Sequence, residues 1–190
     1  GFLESLRSLC TAYGALLIFD EVITGFRLSA GGAQQAFGVT PDLTTFGKII
    51  GAGMPVGAYG GKRSIMEVVS PLGNVYQAGT LSGNPVAMAA GYTMLGLLDS
   101  HPQIYDELTE KGNYFFGELQ NIVQRAGLPY PVCHTGSLGC LFFANRKVTD
   151  YESAKTSDTQ AYASYCRYML RHGIYLAPAQ FEAMFLSAAH

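Results

Sequence analysis

"TTFGKIIGAGMPVGAYGG" (Thr44–Gly61) places one lysine, Lys48, among glycines, apolar residues and uncharged polar ones. Leu43 to Phe46 reads as a short buried strand, and Lys48 follows it almost at once. Val56 to Gly60 reads as a second strand, weakened by its glycines. Upstream, "ALLIF" (Ala15–Phe19) reads as another buried strand, and it ends in Asp20 and Glu21. Before it, Phe2, Leu3, Leu6, Leu9 and Cys10 fall at helical spacing, which predicts a helix over residues 2–13. Downstream come one or two helical turns at Ser64–Val69 and the loop "GTLSGNP". A long helix then starts with Asn84 as its cap and Pro85 at its first position, running to about Asp99. Strands alternating with helices predict an α/β fold around a parallel or mixed sheet.

From about Ser100 the pattern changes. Ser100 with Gln103, and Ser157 with Gln160, fit capping boxes. The first precedes an apolar stripe of Ile104, Leu108, Phe115, Leu119 and Ile122. The second opens a helix with Tyr162, Tyr165, Cys166, Met169 and Leu170 on one face, closed by Gly173. Gly136–Ala144, Ile174–Leu176 and Met184–Leu186 read as strands. The expectation is two domains, 1–99 and 100–190, the second of α+β type.

Composition narrows the function. The chain has 190 residues, 48% hydrophobic and 14% charged, with a net charge of −2. There is no basic run for nucleic acid and no apolar run long enough for a membrane span. The four cysteines, Cys10, Cys133, Cys140 and Cys166, lack C-x-x-C spacing, which favours a reduced, cytoplasmic setting over a disulfide framework or a metal site. The chain begins Gly1-Phe2-Leu3 inside a helical pattern and stops at "FLSAAH", so it reads as a piece of a longer protein.

Carboxyl ends of strands in open α/β sheets are where ligands sit. Asp20 leaves one such strand, although a helix cap or a loop salt bridge would also explain it. Lys48 leaves another. Its apolar neighbours Ile49, Ile50, Ala52 and Met54 predict a shielded amine, and burial disfavours the charged form. A neutral amine is a nucleophile toward aldehydes. A lysine that keeps its tip in water would fit the same sequence. Pyridoxal phosphate needs a lysine for its aldehyde, an acid for its pyridine nitrogen and a phosphate site. "AGTLSGNP" offers the third through Thr80, Ser82, free N–H groups and the helix start that follows. An ordinary turn hydroxyl is the plainer reading of Thr80.

"LLIFDEVITGFR", "PDLTTFGKIIGAGMPVGAYGG" and "YQAGTLSGNPVAMAAG" strongly resemble class III aminotransferases. Together with "YLAPAQFEAMFLSAAH", they narrow the resemblance to the glutamate-1-semialdehyde 2,1-aminomutase family, over essentially the whole chain and matching that family's second half. The resemblance implies pyridoxal-phosphate-dependent transferase fold type I: the second half of the cofactor-binding large domain, then a truncated C-terminal small domain. It implies pyridoxal 5′-phosphate, cycling through its pyridoxamine form. Lys48 matches the Schiff-base lysine, Asp20 the partner of the pyridinium nitrogen, and Val22 the residue packed on the ring face. Gly79 and Thr80 match the group reaching the cofactor phosphate of a neighbouring subunit, which implies a homodimer with shared sites. Glu182 matches an acidic residue facing the substrate; a solvent-facing carboxylate is its plainer reading. Met184 stands where glycine is usual in the family.

The activity implied is intramolecular amino transfer from glutamate-1-semialdehyde to 5-aminolevulinate, at the start of tetrapyrrole synthesis. The setting would be cytoplasm, or plastid stroma in a plant or alga. The alternatives are a general class III omega-aminotransferase with a separate amino donor, or a structural piece inactive by itself.

Overall fold

β2 (Leu43–Phe46) is the central strand of a three-stranded sheet in the computed structural model, which describes residues 1–190. β1 (Ile18–Asp20) pairs with it in parallel and β3 (Ala58–Gly61) antiparallel. β1 therefore starts three residues later than expected from the apolar run. The chain divides into two compact units, Gly1–Tyr105 and Asp106–His190.

In the first unit, α1 (Phe2–Ala12) sends Leu3, Leu6 and Cys10 against a cluster of Leu17, Phe19 and Val39. Phe2 and Leu9, on the same expected stripe, stay exposed. The excursion from β1 to β2 contains a short helix, α2 (Gly32–Phe37). Asp42, 3% exposed, ties the unit's parts together. It accepts from Arg7 Nη1 at 2.7 Å, from the Leu17 N–H at 2.7 Å, and from the Lys62 ammonium. These partners, Lys62 foremost, hold its carboxyl far below the usual carboxylate range. A one-turn helix, α3 (Arg63–Met66), follows β3. Then comes α4 (Pro85–Ser100), where Asn84 Oδ1 accepts from the Val86 and Ala87 N–H groups as an N-cap should.

Ser100 does not open the next helix. It is the last residue of α4, and its hydroxyl bonds back to the Gly96 carbonyl at 2.8 Å. α5 starts at Ile104 and runs to Arg125.

The second unit holds a hairpin of β4 (Val132–Thr135) and β5 (Leu138–Leu141), extended by β6 (Met184–Phe185). β5 is shorter than the expected Gly136–Ala144 strand. Beyond Leu141 the buried Gln180 side chain takes over the ladder, accepting from the Phe143 N–H at 3.0 Å and donating to the Leu141 carbonyl at 2.9 Å. α6 (Tyr151–Ala154) carries a reciprocal capping box between Asp150 and Ser153. α7 (Thr159–Arg171) is capped by Asp158, not Ser157. Asp158 Oδ1 accepts from the Gln160 and Ala161 N–H groups, whereas the buried Ser157 hydroxyl has no partner. Ile174–Leu176 forms no strand. The carbonyl of Ala177, just beyond it, is held by the Tyr162 hydroxyl at 2.6 Å.

Candidate active site

β1 and β2 point the same way and finish at the same edge of the sheet. Their register pairs Asp20 with Thr45, and the Thr45 hydroxyl donates to Asp20 Oδ1 at 3.3 Å. The Val22 N–H donates to the same oxygen at 3.1 Å, turning the chain at the strand end. Asp20 is exposed, and its Oδ2 accepts no hydrogen bond.

Lys48 opens a 3₁₀ turn, Lys48–Gly51, two residues past β2. Its φ is +46°. A side chain in that left-handed region costs about 1–3 kcal/mol and marks a position that its surroundings over-determine. Two contacts do so. A Cβ placed on Gly47 would lie 3.3 Å from Val22 Cγ1, so Val22 packs on the backbone just before Lys48. α4 approaches from another side, with Gly91 directly against the Ile50 carbonyl oxygen.

The shielding expected of Lys48 is not supplied by this chain. Lys48 is exposed and takes no part in its ion pairs. A 3₁₀ turn sends successive side chains about 120° apart. Ile49 and Ile50 are half-buried and Gly51 is buried, while Lys48 faces out.

Glu21 was not assignable from sequence, and its environment is the opposite of its neighbour's. It is 1% exposed. Oε2 accepts from the Ala33 N–H at 2.6 Å and the Thr24 hydroxyl at 3.1 Å; Oε1 accepts from the Gln34 N–H at 3.0 Å and its side-chain amide at 3.2 Å. Glu21 thus serves the first turn of α2 from far along the chain, where a negative charge is favoured. Gly32, at φ +67°, leaves the room, since a Cβ there would collide with the Glu21 carboxylate. The doubled glycine "GG" at 31–32 was the only sequence signal of this arrangement.

Gly79 lines an apolar cavity of about 690 Å³ with Ile50, Phe46 and Tyr92, and Thr80 follows it, exposed, on the loop leading to α4. Asp20, Val22 and the Lys48 turn therefore share one sheet edge, and Gly79 shares a cavity wall with that turn. Glu182 lies in the second unit, exposed, beside a small recess with Cys140, Tyr162 and Met184. Burial pushes the Tyr162 hydroxyl up to about 12, and the Glu182 charge adds to that. Met184 packs on the core cluster there, filling space that a glycine would leave.

An amine and a carboxylate with a spare oxygen, on adjoining parallel strand ends, can bind an aldehyde and a protonated ring nitrogen respectively.

Residues 1–188 match the family described as Aminotransferase class-III. Over all 190 residues the chain is 65% identical to glutamate-1-semialdehyde 2,1-aminomutase 1 of Lachnoclostridium phytofermentans (strain ATCC 700394 / DSM 18823 / ISDg), covering 44% of that protein. It spans about 44% of the length of the curated relatives it matches. A β-phenylalanine aminotransferase from Variovorax paradoxus superposes with a TM-score of 0.90 at 33% identity, over 100% of this chain and 43% of that one. An omega-transaminase from Sphaerobacter thermophilus gives 0.84 at 36% identity, over 98% and 42%.

Proposed function

The chain belongs to the class-III aminotransferase family, and we propose on that premise that the intact protein is a glutamate-1-semialdehyde 2,1-aminomutase using pyridoxal 5′-phosphate. It would move an amino group within one carbon skeleton to give 5-aminolevulinate, the entry to tetrapyrroles. The observation that carries the cofactor reading is the parallel register of β1 and β2, with Asp20 and the Lys48 turn at one edge. The 65% identity across all 190 residues supports the aminomutase over a transaminase with a separate donor.

The residues present fit the cofactor. The spare Oδ2 of Asp20 suits a ring N–H⁺, the exposed Lys48 amine suits an aldehyde, and the Gly79–Thr80 loop offers N–H and hydroxyl donors for a phosphate. When bound, the cofactor supplies an electron sink that takes up charge as a proton leaves the carbon bearing nitrogen. Asp20 would keep the ring nitrogen protonated. Lys48 Nζ would hold and return the proton at the substrate carbon. Val22, already seated on the backbone before Lys48, limits the room beside the ring. Thr80 donates to a phosphate, in our reading that of a second subunit, making the enzyme a homodimer. Glu182 faces the substrate. No helix is long and apolar enough to cross a membrane, and we place the enzyme in the cytoplasm.

The intact native protein, given pyridoxal 5′-phosphate and glutamate-1-semialdehyde but no keto acid or amino donor, should form 5-aminolevulinate. Borohydride should fix one cofactor per chain on the peptide containing Lys48. A strict need for an added amino donor would make it a transaminase. A saturating label on another lysine would remove Lys48 from the site.

A further inference from the structure

We infer that Gly91, in the middle of α4, is a positioning residue for Lys48: its missing side chain is what lets the helix hold the Lys48 turn in its left-handed conformation. The inference rests on the proposed role of Lys48. Gly91 is buried inside a 16-residue helix, where glycine is among the least favoured residues, so its presence calls for a reason. The reason is spatial. A Cβ there would enter the Ile50 carbonyl oxygen, well inside contact distance. That oxygen belongs to backbone, not to the tip of a flexible side chain, so the turn itself would have to move.

The same helix contains a matched control. Gly96 lies five residues on, exposed, with nothing within 4 Å of where its Cβ would stand. Alanine at Gly96 changes only helix propensity; alanine at Gly91 also drives a wedge between α4 and the turn. Restoring normal separation requires a shift on the order of 1 Å. Lys48 is two residues from Ile50 in a turn of four, so it cannot be insulated from that movement. A misplacement of about 1 Å at a reacting group can cost roughly 10²-fold in rate.

The test uses the intact native protein and its Gly91→Ala and Gly96→Ala variants, each with saturating pyridoxal 5′-phosphate. Three readouts are taken per folded molecule: the rate at which cofactor becomes borohydride-fixed on Lys48, the visible absorbance of cofactor joined to lysine, and kcat against KM. Gly91→Ala should slow fixation at least tenfold, weaken the visible band and lower kcat by about 10²-fold, with KM within threefold. Gly96→Ala should match the parent in all three. Equal fixation rates and kcat for the two variants would overturn the inference while leaving Lys48 in its role. Failure of the parent itself to fix cofactor on Lys48 would instead overturn the role. If Gly91→Ala does not fold, Ile50→Ala decides: it removes the side chain but keeps the carbonyl under Gly91. Fixation within threefold of the parent supports backbone positioning, and a tenfold loss places the control in side-chain packing and rejects Gly91.

Discussion

Around Phe143 in the second unit, the rings of Tyr130, Tyr162 and Tyr165 stand at centroid distances of 4.5, 5.5 and 5.4 Å. The first unit has no such cluster. Its packed apolar group is Leu17, Phe19 and Val39, and beside them two carboxylates, Glu21 and Asp42, are almost fully buried. One unit is consolidated by aromatic contact. The other is consolidated by charged acceptors that satisfy backbone donors, and it is also the unit whose strand ends form the proposed site. Directional acceptors fix where a strand end and a helix start lie relative to each other. Apolar packing fixes volume, and tolerates sliding more readily.

This contrast can be broken in four ways. The largest effect is expected from Phe143→Ala, which should lower the stability of the second unit by about 3–5 kcal/mol. Hydrogen exchange of the β4–β5 amides would register it, and a loss below about 1 kcal/mol would deny the cluster its importance. Glu21→Ala should follow, since it strips the acceptor from the α2 N–H groups, at about 1.5–3 kcal/mol. The exchange of Ala33 and Gln34 amides should quicken while the second unit is unaffected; unchanged protection would show that water replaces the carboxylate freely. Asp20→Asn sharpens the comparison from the other side. In the intact enzyme it should lower turnover at least tenfold, about 1.4 kcal/mol in the barrier, yet leave the melting temperature within a degree or two. Full turnover would remove Asp20 from the proposed chemistry.

The mildest test is acid. The Asp42 carboxyl is depressed in the folded chain, so its stabilisation is complete above the unfolded carboxylate value of about 4 and fades as pH falls from there toward the folded value. Between about pH 4 and pH 3, protection at the Leu17 and Lys62 amides should decline before that of Val132–Leu141. The reverse order would mean that Arg7 and Lys62 are not what secures the first unit.

What could be seen in the sequence was local. β2 lies at Leu43–Phe46 as expected, because Leu-Thr-Thr-Phe is a strand-prone run bounded by Pro41-Asp42 before it and Gly47 after it. The α4 start is explicit in Asn84-Pro85, one a cap and the other a residue with no N–H to satisfy. Both predicted capping boxes failed for a physical reason. A serine three residues before a glutamine is compatible with a helix start, but the Ser100 hydroxyl found a carbonyl behind it, and Asp158 outcompeted Ser157 as the stronger acceptor. The exposure of Lys48 was misjudged because sequence neighbours were taken as spatial ones, and a tight turn separates them. The bonds from Glu21 to α2, the Asp42 node and the Gly91 contact join residues 12 to 41 positions apart, and beyond the doubled glycine at 31–32 no local pattern marks them.

Asp20 and Glu21 sit side by side in the chain and do opposite work, one exposed at the sheet edge and one closed around α2. What separates them is the two-residue alternation that β1 sets and the next residue continues: Ile18 and Asp20 are exposed, while Phe19 in the strand and Glu21 just past its end are buried. The two carboxylates are thus locked in phase with the packing of a single phenylalanine. Inserting or deleting one residue in β1 would exchange them, sending the short acid inward and the long one to the edge. With Asp20 in its proposed role, chemistry and folding share one reading frame at this strand, so a frame error here removes both together.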